Sequence, residues 1–353
     1  MRVLVTGGAG YIGSHAVREL INSGHQVTVL DNLHKGHEEA IDPRATFICG
    51  STGNLELLIR RLQGMQIEAV MHFATDIEVG ESVTDPYKYY LNNFTNSLNL
   101  IQAMTKLGIK KLVFSSTAAV YGNPEFTPIK EDQRRLPINP YGRSKFMTEM
   151  AIEDFNRAHG LSYTILRYFN VAGASPDASI GEDHHPESHL IPRILKAAHE
   201  EGEVNIFGTD YDTPDGTCIR DYVHVVDLAH AHVLALQHMK DNEGNVYNIG
   251  SENGFSVREV ISACEDVTGK KLKILESPRR AGDPAVLIAS SRKIREDLGW
   301  KPLYPGIHTI VQHAWHWHST HPGGYKGPVE IIPPKKFPSS PDTSPDKIVI
   351  GHG

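Results

Sequence analysis

Short β-branched runs alternate with stretches of helical periodicity through the first half of the chain. They are Val3-Leu-Val5, Tyr11 to Ser23, Gln26-Val-Thr-Val-Leu30, Leu55 to Leu62, Ala69-Val-Met-His-Phe73, Tyr89 to Leu107 and Lys111-Leu-Val-Phe114. A helix from about Tyr141 to Ala158 and a further run, Tyr163-Thr-Ile-Leu-Arg167, continue the pattern. Strands separated by helices of this length predict βαβ units on a parallel sheet, an α/β fold of the doubly wound Rossmann type. Beyond Gly173 the chain turns irregular and rich in Pro, His and Asp, with short helices expected at Leu190 to Glu200 and Val257 to Thr268. This predicts a smaller α+β domain. The expected division is a dinucleotide-binding domain over 1–172, a mainly substrate-binding domain over 173–322 and a C-terminal tail over 323–353, rich in Gly, Pro, Ser and Lys.

The first strand runs into Gly7-Gly-Ala-Gly10-Tyr-Ile-Gly13, which opens the first helix. Gly7, Gly10 and Gly13 satisfy GxxGxxG, and Gly8 with the latter two satisfies GxGxxG. Glycines there permit a tight turn, close backbone approach to a pyrophosphate, and helix N–H groups aimed at the anion. Glycine spacing alone is weak evidence. The second strand, however, ends at Asp31, about 20 residues on, where a carboxylate accepts hydrogen bonds from ribose hydroxyls and repels a 2′-phosphate. NAD is therefore favoured over NADP.

Tyr141-Gly-Arg-Ser-Lys145 puts a phenol and an ammonium one helical turn apart. Of 13 tyrosines, only this one has Lys four residues later. Upstream, the strand at Lys111 to Phe114 ends in Ser115-Ser-Thr117, which brings hydroxyls to the carboxyl edge of the sheet, where ligands bind. Removing a sugar hydroxyl proton as hydride leaves the same carbon needs a base. Bringing a phenol from pKa about 10 to neutrality means stabilising phenolate by roughly 4 kcal/mol. Lys145 and a positive nicotinamide can supply that field, with Thr117 hydrogen-bonding at the same oxygen.

The chain has 353 residues, 40% hydrophobic and 22% charged, with formal net charge −7. That supports full cores and offers no basic surface for nucleic acid, so an anionic ligand must meet a few local cations. Three widely spaced cysteines, Cys49, Cys218 and Cys264, fit reduced thiols. Met1 runs straight into an apolar strand, and no run of about 18 apolar residues occurs. A cytoplasmic protein off the membrane is expected.

These landmarks resemble the extended short-chain dehydrogenase/reductase family, and within it the UDP-glucose 4-epimerases, over residues 1 to about 322. Besides the motifs above they include Asp31-Asn-Leu33, His72-Phe-Ala74, Val79-Gly-Glu-Ser82, Asn92-Asn93, Phe114 to Gly122, Arg167-Tyr-Phe-Asn170 and Gly216 to His224. The resemblance implies NAD contacts from Tyr11, Ile12, Asp31, Asn32, Ser51, Thr52, Phe73, Ala74, Asn92, Ser115, Tyr141, Lys145 and Phe169. It implies that Asn170, Arg220, Arg280 and Asp283 hold the UDP-sugar, with His189, Leu190, Asn205 and Phe207 at further contact positions. Arg220 and Arg280 also make independent sense as diphosphate clamps. Leu287 falls where the wall faces the sugar's C2 substituent. The implied activity is interconversion of UDP-galactose and UDP-glucose, in a homodimer formed through the helices at Tyr89 to Leu107 and Tyr141 to Ala158.

Three positions depart from the family pattern: Ser51 for an adenine-binding Asp, Ile77 for a cofactor-facing Lys, and Ala281 for Pro. Ser51 predicts weaker NAD retention. Ala118 and Ala119 stand where related dehydratases carry an Asp-Glu pair, which argues against elimination chemistry. A 4-epimerase of UDP-N-acetylhexosamines or UDP-pentoses, and a non-catalytic NAD-binding protein, remain alternatives. His313, His316 and His318 around Trp315 and Trp317 are read as packing on an amphipathic helix, with no metal expected.

Overall fold

The computed structural model describes residues 1–280 and 283–326. Seven parallel strands form the main sheet in the order Gly244–Ile249, Ser162–Tyr168, Lys111–Thr117, Ala69–His72, Arg2–Thr6, Gln26–Asp31 and Thr46–Cys49. Val3, Leu4, Val5, Val70, Met71, Leu112 and Val113 are fully buried, as strands covered by helices on both faces require. From Arg2–Thr6 the chain winds first to one side and then, from Ala69–His72, to the other. The carboxyl ends of these two neighbours mark the switch point where such sheets bind ligands. His72 fastens it: Nδ1 lies 2.6 Å from the Thr6 hydroxyl and Nε2 2.7 Å from that of Ser97, and burial lowers its pKa to about 3.

Three details differ from the sequence expectation. The edge strand Thr46–Cys49 was not foreseen, because only Phe47 and Ile48 are partly covered and no alternation betrays it. The expected helix from Tyr89 to Leu107 is three pieces: Pro86–Tyr89, a π-helical turn over Tyr90–Thr95, and Asn96–Leu107. Residues 225–249 return to the large sheet, since helix Val225–Gln237 packs on Tyr11–Asn22 and Gly244–Ile249 becomes an edge strand.

The remaining segments build the smaller unit. Ile219–His224 pairs with Gly254–Ser256, Val286–Leu287 and Asn170–Ala172, and Glu203–Phe207 pairs with Lys273–Ser277. Helices Leu190–Glu200, Val257–Thr268 and Ile307–Thr320 enclose a core that includes Ile191, Ile194, Val260, Ile310 and Val311. Within the last helix the histidines diverge, His313 toward His224 at 3.0 Å and His316 toward the Pro176 carbonyl at 3.2 Å. Of the segment expected to be a tail, residues 323–326 pack back: the Tyr325 ring stacks on His37 at 5.0 Å and its hydroxyl bonds Gly181. Residues 327–353, and Ala281, lie outside the described residues.

Candidate active site

The glycine loop divides its steric demands between protein and ligand. Gly7 has φ +74°, and a Cβ there would stand 2.6 Å from the Ala74 nitrogen; a Cβ on Gly13 would fall on the Gly7 carbonyl oxygen. Those two glycines are required by packing. Gly10, the residue before helix Tyr11–Asn22, meets nothing nearer than the Gly7 oxygen at 3.4 Å, so the space its missing side chain leaves belongs to the cleft. Asp31 is buried at the neighbouring strand end, accepting from the Ala9 and Leu33 N–H groups at 3.0 and 2.9 Å. These residues fit a dinucleotide.

The helix bearing Tyr141 starts where its caps dictate. Asn139 accepts from the Gly142 N–H at 2.8 Å, Pro140 takes the first turn, and Gly160 ends the helix at φ +65°. Its inner face presents Tyr141 and Lys145, both buried. Burial pushes the Tyr141 phenol up to about 12, partly offset by the Thr117 hydroxyl. Burial drives Lys145 down to about 7, against the opposing pull of Glu149 and Asp76. The ammonium donates to Thr75 Oγ1 at 2.7 Å and the Ser115 carbonyl at 2.8 Å, and lies 6.0 Å from the Tyr141 ring centre. Among the described residues it makes no direct hydrogen bond to the phenol. Behind it Arg167 grips Glu149 with two charge-assisted bonds of 3.0 and 2.7 Å, tying the helix to strand Ser162–Tyr168.

Apart from Gly8, which faces Val29 and Val17, every residue singled out from the sequence for cofactor, catalysis or substrate lines one cleft of about 1380 Å³. On its far wall Arg220 is paired with Asp283, and the Arg280 guanidinium lies over the Phe207 ring at 4.1 Å. Asp283 thus orients a cation rather than standing free. Leu287 pairs in register with Arg220 and is half-buried. Asn170 is exposed and hydrogen-bonded toward Tyr222. His189 belongs to a knot with Glu182, His184 and Glu187, whose donor atoms lie within 4.8 Å of one another. Burial opposes its charge, but Glu182 at 2.5 Å prevails and raises it to about 9.

Sequence reasoning named only Asn92 of a second group. The π-helical turn aims Asn93 at the main chain of Asp76, accepting at 2.8 Å and donating at 2.9 Å, while Asn92 donates to the Asp76 carboxylate at 2.9 Å. Lys88 bonds Glu81 at 2.8 Å, Tyr89 bonds Glu81 at 2.9 Å, and the Tyr89 ring stands edge-on to Tyr141 at 6.4 Å. Nothing in local periodicity announces this scaffold.

A dinucleotide cleft at the switch point, joined to a Tyr-Lys-Thr constellation, defines the class: the chain belongs to the NAD dependent epimerase/dehydratase family, which it matches over residues 3–250. It is 52% identical over 328 residues to the UDP-glucose 4-epimerase of Lactobacillus helveticus, covering 92% of this chain and 99% of that one. The Lacticaseibacillus casei UDP-glucose 4-epimerase is 51% identical, with 92% and 99% covered. Among solved structures, the UDP-glucose 4-epimerase of Bifidobacterium longum in complex with NAD+ and UDP superposes with a TM-score of 0.88 at 39% identity, covering 92% of this chain and all of that one.

Proposed function

We propose that this chain is a UDP-glucose 4-epimerase that interconverts UDP-galactose and UDP-glucose through a 4-keto sugar, with Tyr141 as the acid/base at the C4 hydroxyl. The observation that carries this reading is the meeting of Thr117, Tyr141 and Lys145 with the glycine loop and the Arg220 and Arg280 wall in a single cleft. Bound NAD supplies a hydride acceptor and donor at the sugar C4. Tyr141 Oη takes the C4 hydroxyl proton and later returns it; Thr117 orients the same oxygen, and Lys145 favours the phenolate. Arg220 and Arg280 hold the diphosphate, so the released keto sugar turns about its phosphate linkage and presents its other face. Asp31, Asn32, Ser51, Thr52, Asn92 and Phe169 position the dinucleotide.

Ala118 and Ala119 also line the cleft, and neither methyl group can transfer a proton, so elimination has no machinery there. Homodimerisation through the exposed faces of helices Asn96–Leu107 and Pro140–His159, where Met150 is 41% exposed, completes the reading. No helix among the described residues is long and apolar enough to cross a membrane, in keeping with a cytoplasmic enzyme. Tyr141→Phe tests the assignment: kcat is expected to fall about 10²–10⁴-fold with NAD binding and thermal stability retained. Near-normal turnover would remove Tyr141 from its role.

A further inference from the structure

Four residues just ahead of helix Leu190–Glu200 bring together more ligating atoms than the proposed reaction uses. Glu182, His184, Glu187 and His189 follow the pattern Glu-x-His-x-x-Glu-x-His, and one oxygen or nitrogen from each lies within 4.8 Å of the other three. They fall in the irregular stretch after Gly173, where no metal was expected. Their separations are nonetheless close to those of a coordination sphere. Bonds of about 2.0–2.1 Å to a tetrahedral zinc ion set neighbouring ligand atoms roughly 3.3 Å apart. His184 Nδ1 stands 3.1 Å from Glu182 Oε1, and His189 Nδ1 3.5 Å from Glu187 Oε1. His189 Nδ1 and Glu182 Oε1 are closer, at 2.5 Å, in a hydrogen bond that a metal would open into a tetrahedral edge.

A second observation separates this cluster from an ordinary ion-pair knot. His184 Nδ1 is buried and makes no hydrogen bond among the described residues, although the Glu182 oxygen is 3.1 Å away. A buried nitrogen left in this way is costly unless something else meets it. A cation at the middle of the four would take its lone pair. The donors are also held in place before any ion arrives, as a tight site requires. Trp317 Nε1 donates to the Glu182 carbonyl at 3.0 Å, Lys35 to the His185 carbonyl at 2.8 Å, and the His189 N–H to Glu187 Oε1 at 2.8 Å. Charge balances as well, since two carboxylates neutralise a divalent cation set between uncharged imidazoles.

We propose that Glu182, His184, Glu187 and His189 form a binding site for a divalent transition cation of the zinc class. Two imidazoles beside two carboxylates select such an ion over magnesium or calcium, which take oxygen shells. One atom from each residue closes the tetrahedron and leaves no position for a water nucleophile, so the ion fixes structure rather than activating substrate. What it fixes is the wall of the cleft: His184 and His189 line it, and His189 leads directly into helix Leu190–Glu200. The site stands independently of the sugar reaction proposed above, and no step of that reaction passes through the ion.

The test strips the NAD-loaded full chain with a chelator, dialyses it against zinc chloride, and repeats the loading with cobalt chloride as a spectroscopic substitute. Wild type is expected to take up one zinc per chain in the presence of excess magnesium, to melt at a higher temperature once loaded, and to give the strong visible absorption of tetrahedral cobalt. His184→Ala and Glu187→Gln are expected to bind zinc at least about tenfold more weakly in competition with a chelator, since losing even an outer partner of such a ligand costs that much. His185→Ala removes an exposed neighbour outside the cluster and should bind as wild type does. No zinc uptake, a weak octahedral cobalt spectrum, or an affinity that is unchanged in both ligand variants or falls equally in His185→Ala would overturn the proposal. The wild-type uptake and cobalt spectrum decide the matter even where a variant fails to fold.

Discussion

At Lys145 and Tyr141 burial acts on both members of the pair, lowering the ammonium to about 7 and raising the phenol to about 12. The protein alone thus holds a protonated phenol near an amine that is only partly protonated at neutral pH and whose positive charge, when present, supplies a field favouring phenolate. In Lys145→Met that field disappears, so the acid limb of the kcat/KM profile should move upward by at least about one pH unit, with activity partly recovered at high pH. A pH–rate series checks this, and an unmoved limb would make Lys145 purely positional. At position 287 an apolar, half-buried wall offers an acetamido group no hydrogen bond and little room. Leu287→Ser should therefore raise kcat/KM for UDP-N-acetylgalactosamine relative to UDP-galactose; an unchanged ratio would free the residue of that role. Tyr141 and Lys145 stand out in the sequence because their motif is short and local, whereas Leu287 comes from the family resemblance alone. Asp76 and Tyr89 were not legible, because their neighbours come from distant segments brought together only by the fold.

At the level of elements, the glycine loop separates two kinds of requirement that the bare motif does not distinguish. Gly13→Ala would drive a methyl into the Gly7 carbonyl and should lower the melting temperature markedly, whereas Gly10→Ala has open space before it and should leave the apo-protein's stability almost unchanged while weakening NAD binding. Thermal melts with and without NAD distinguish the two. The Glu149–Arg167 pair is similarly decisive: both side chains are almost completely buried, so Arg167→Leu leaves Glu149 only Ser116 at 2.5 Å and the longer Arg135 contact at 3.3 Å, and should cost up to about 3 kcal/mol. Helical periodicity between Tyr89 and Leu107 concealed the π-helical turn because a single turn over Tyr90–Thr95 is too short for its altered period to stand out from the helical turns on either side. That turn directs Asn92 and Asn93 at Asp76, so an element misread from the pattern proves to be part of the site's scaffold.

On the scale of the molecule, burial holds His15 and His232 down to about 4 and His72 and His224 down to about 3. Unfolding restores their ordinary values near 6.5. The unfolded chain therefore takes up protons that the folded one refuses, and their contribution is fully present above pH 6.5 and lost progressively toward pH 3. Asp221 and Glu187, raised by burial to about 6 and about 7, work in the opposite sense over part of that window. His189, held up to about 9, contributes stability that is complete below 6.5 and lost as the pH rises through 9. On these groups melting temperature should consequently be greatest near about pH 6.5 and fall on either side, and a maximum below pH 5 would contradict the neutral state of the four imidazoles. The doubly wound sheet was legible because buried parallel strands leave apolar runs, but the return of residues 225–249 to that sheet was hidden. Gly244 to Ile249 is an edge strand with Asn245 and Asn248 inside it.

Inversion of C4 in a UDP-hexose without net redox is the reaction expected of this cleft. Its most direct test is to incubate the purified protein with UDP-galactose, NAD and no reductant, and to follow C4 configuration by proton NMR, with absorbance at 340 nm read in parallel. The predicted result is conversion to a UDP-glucose/UDP-galactose equilibrium with no stoichiometric growth in absorbance. Accumulation of a keto or 4-keto-6-deoxy sugar, or an unchanged UDP-galactose spectrum from NAD-loaded protein, would contradict it.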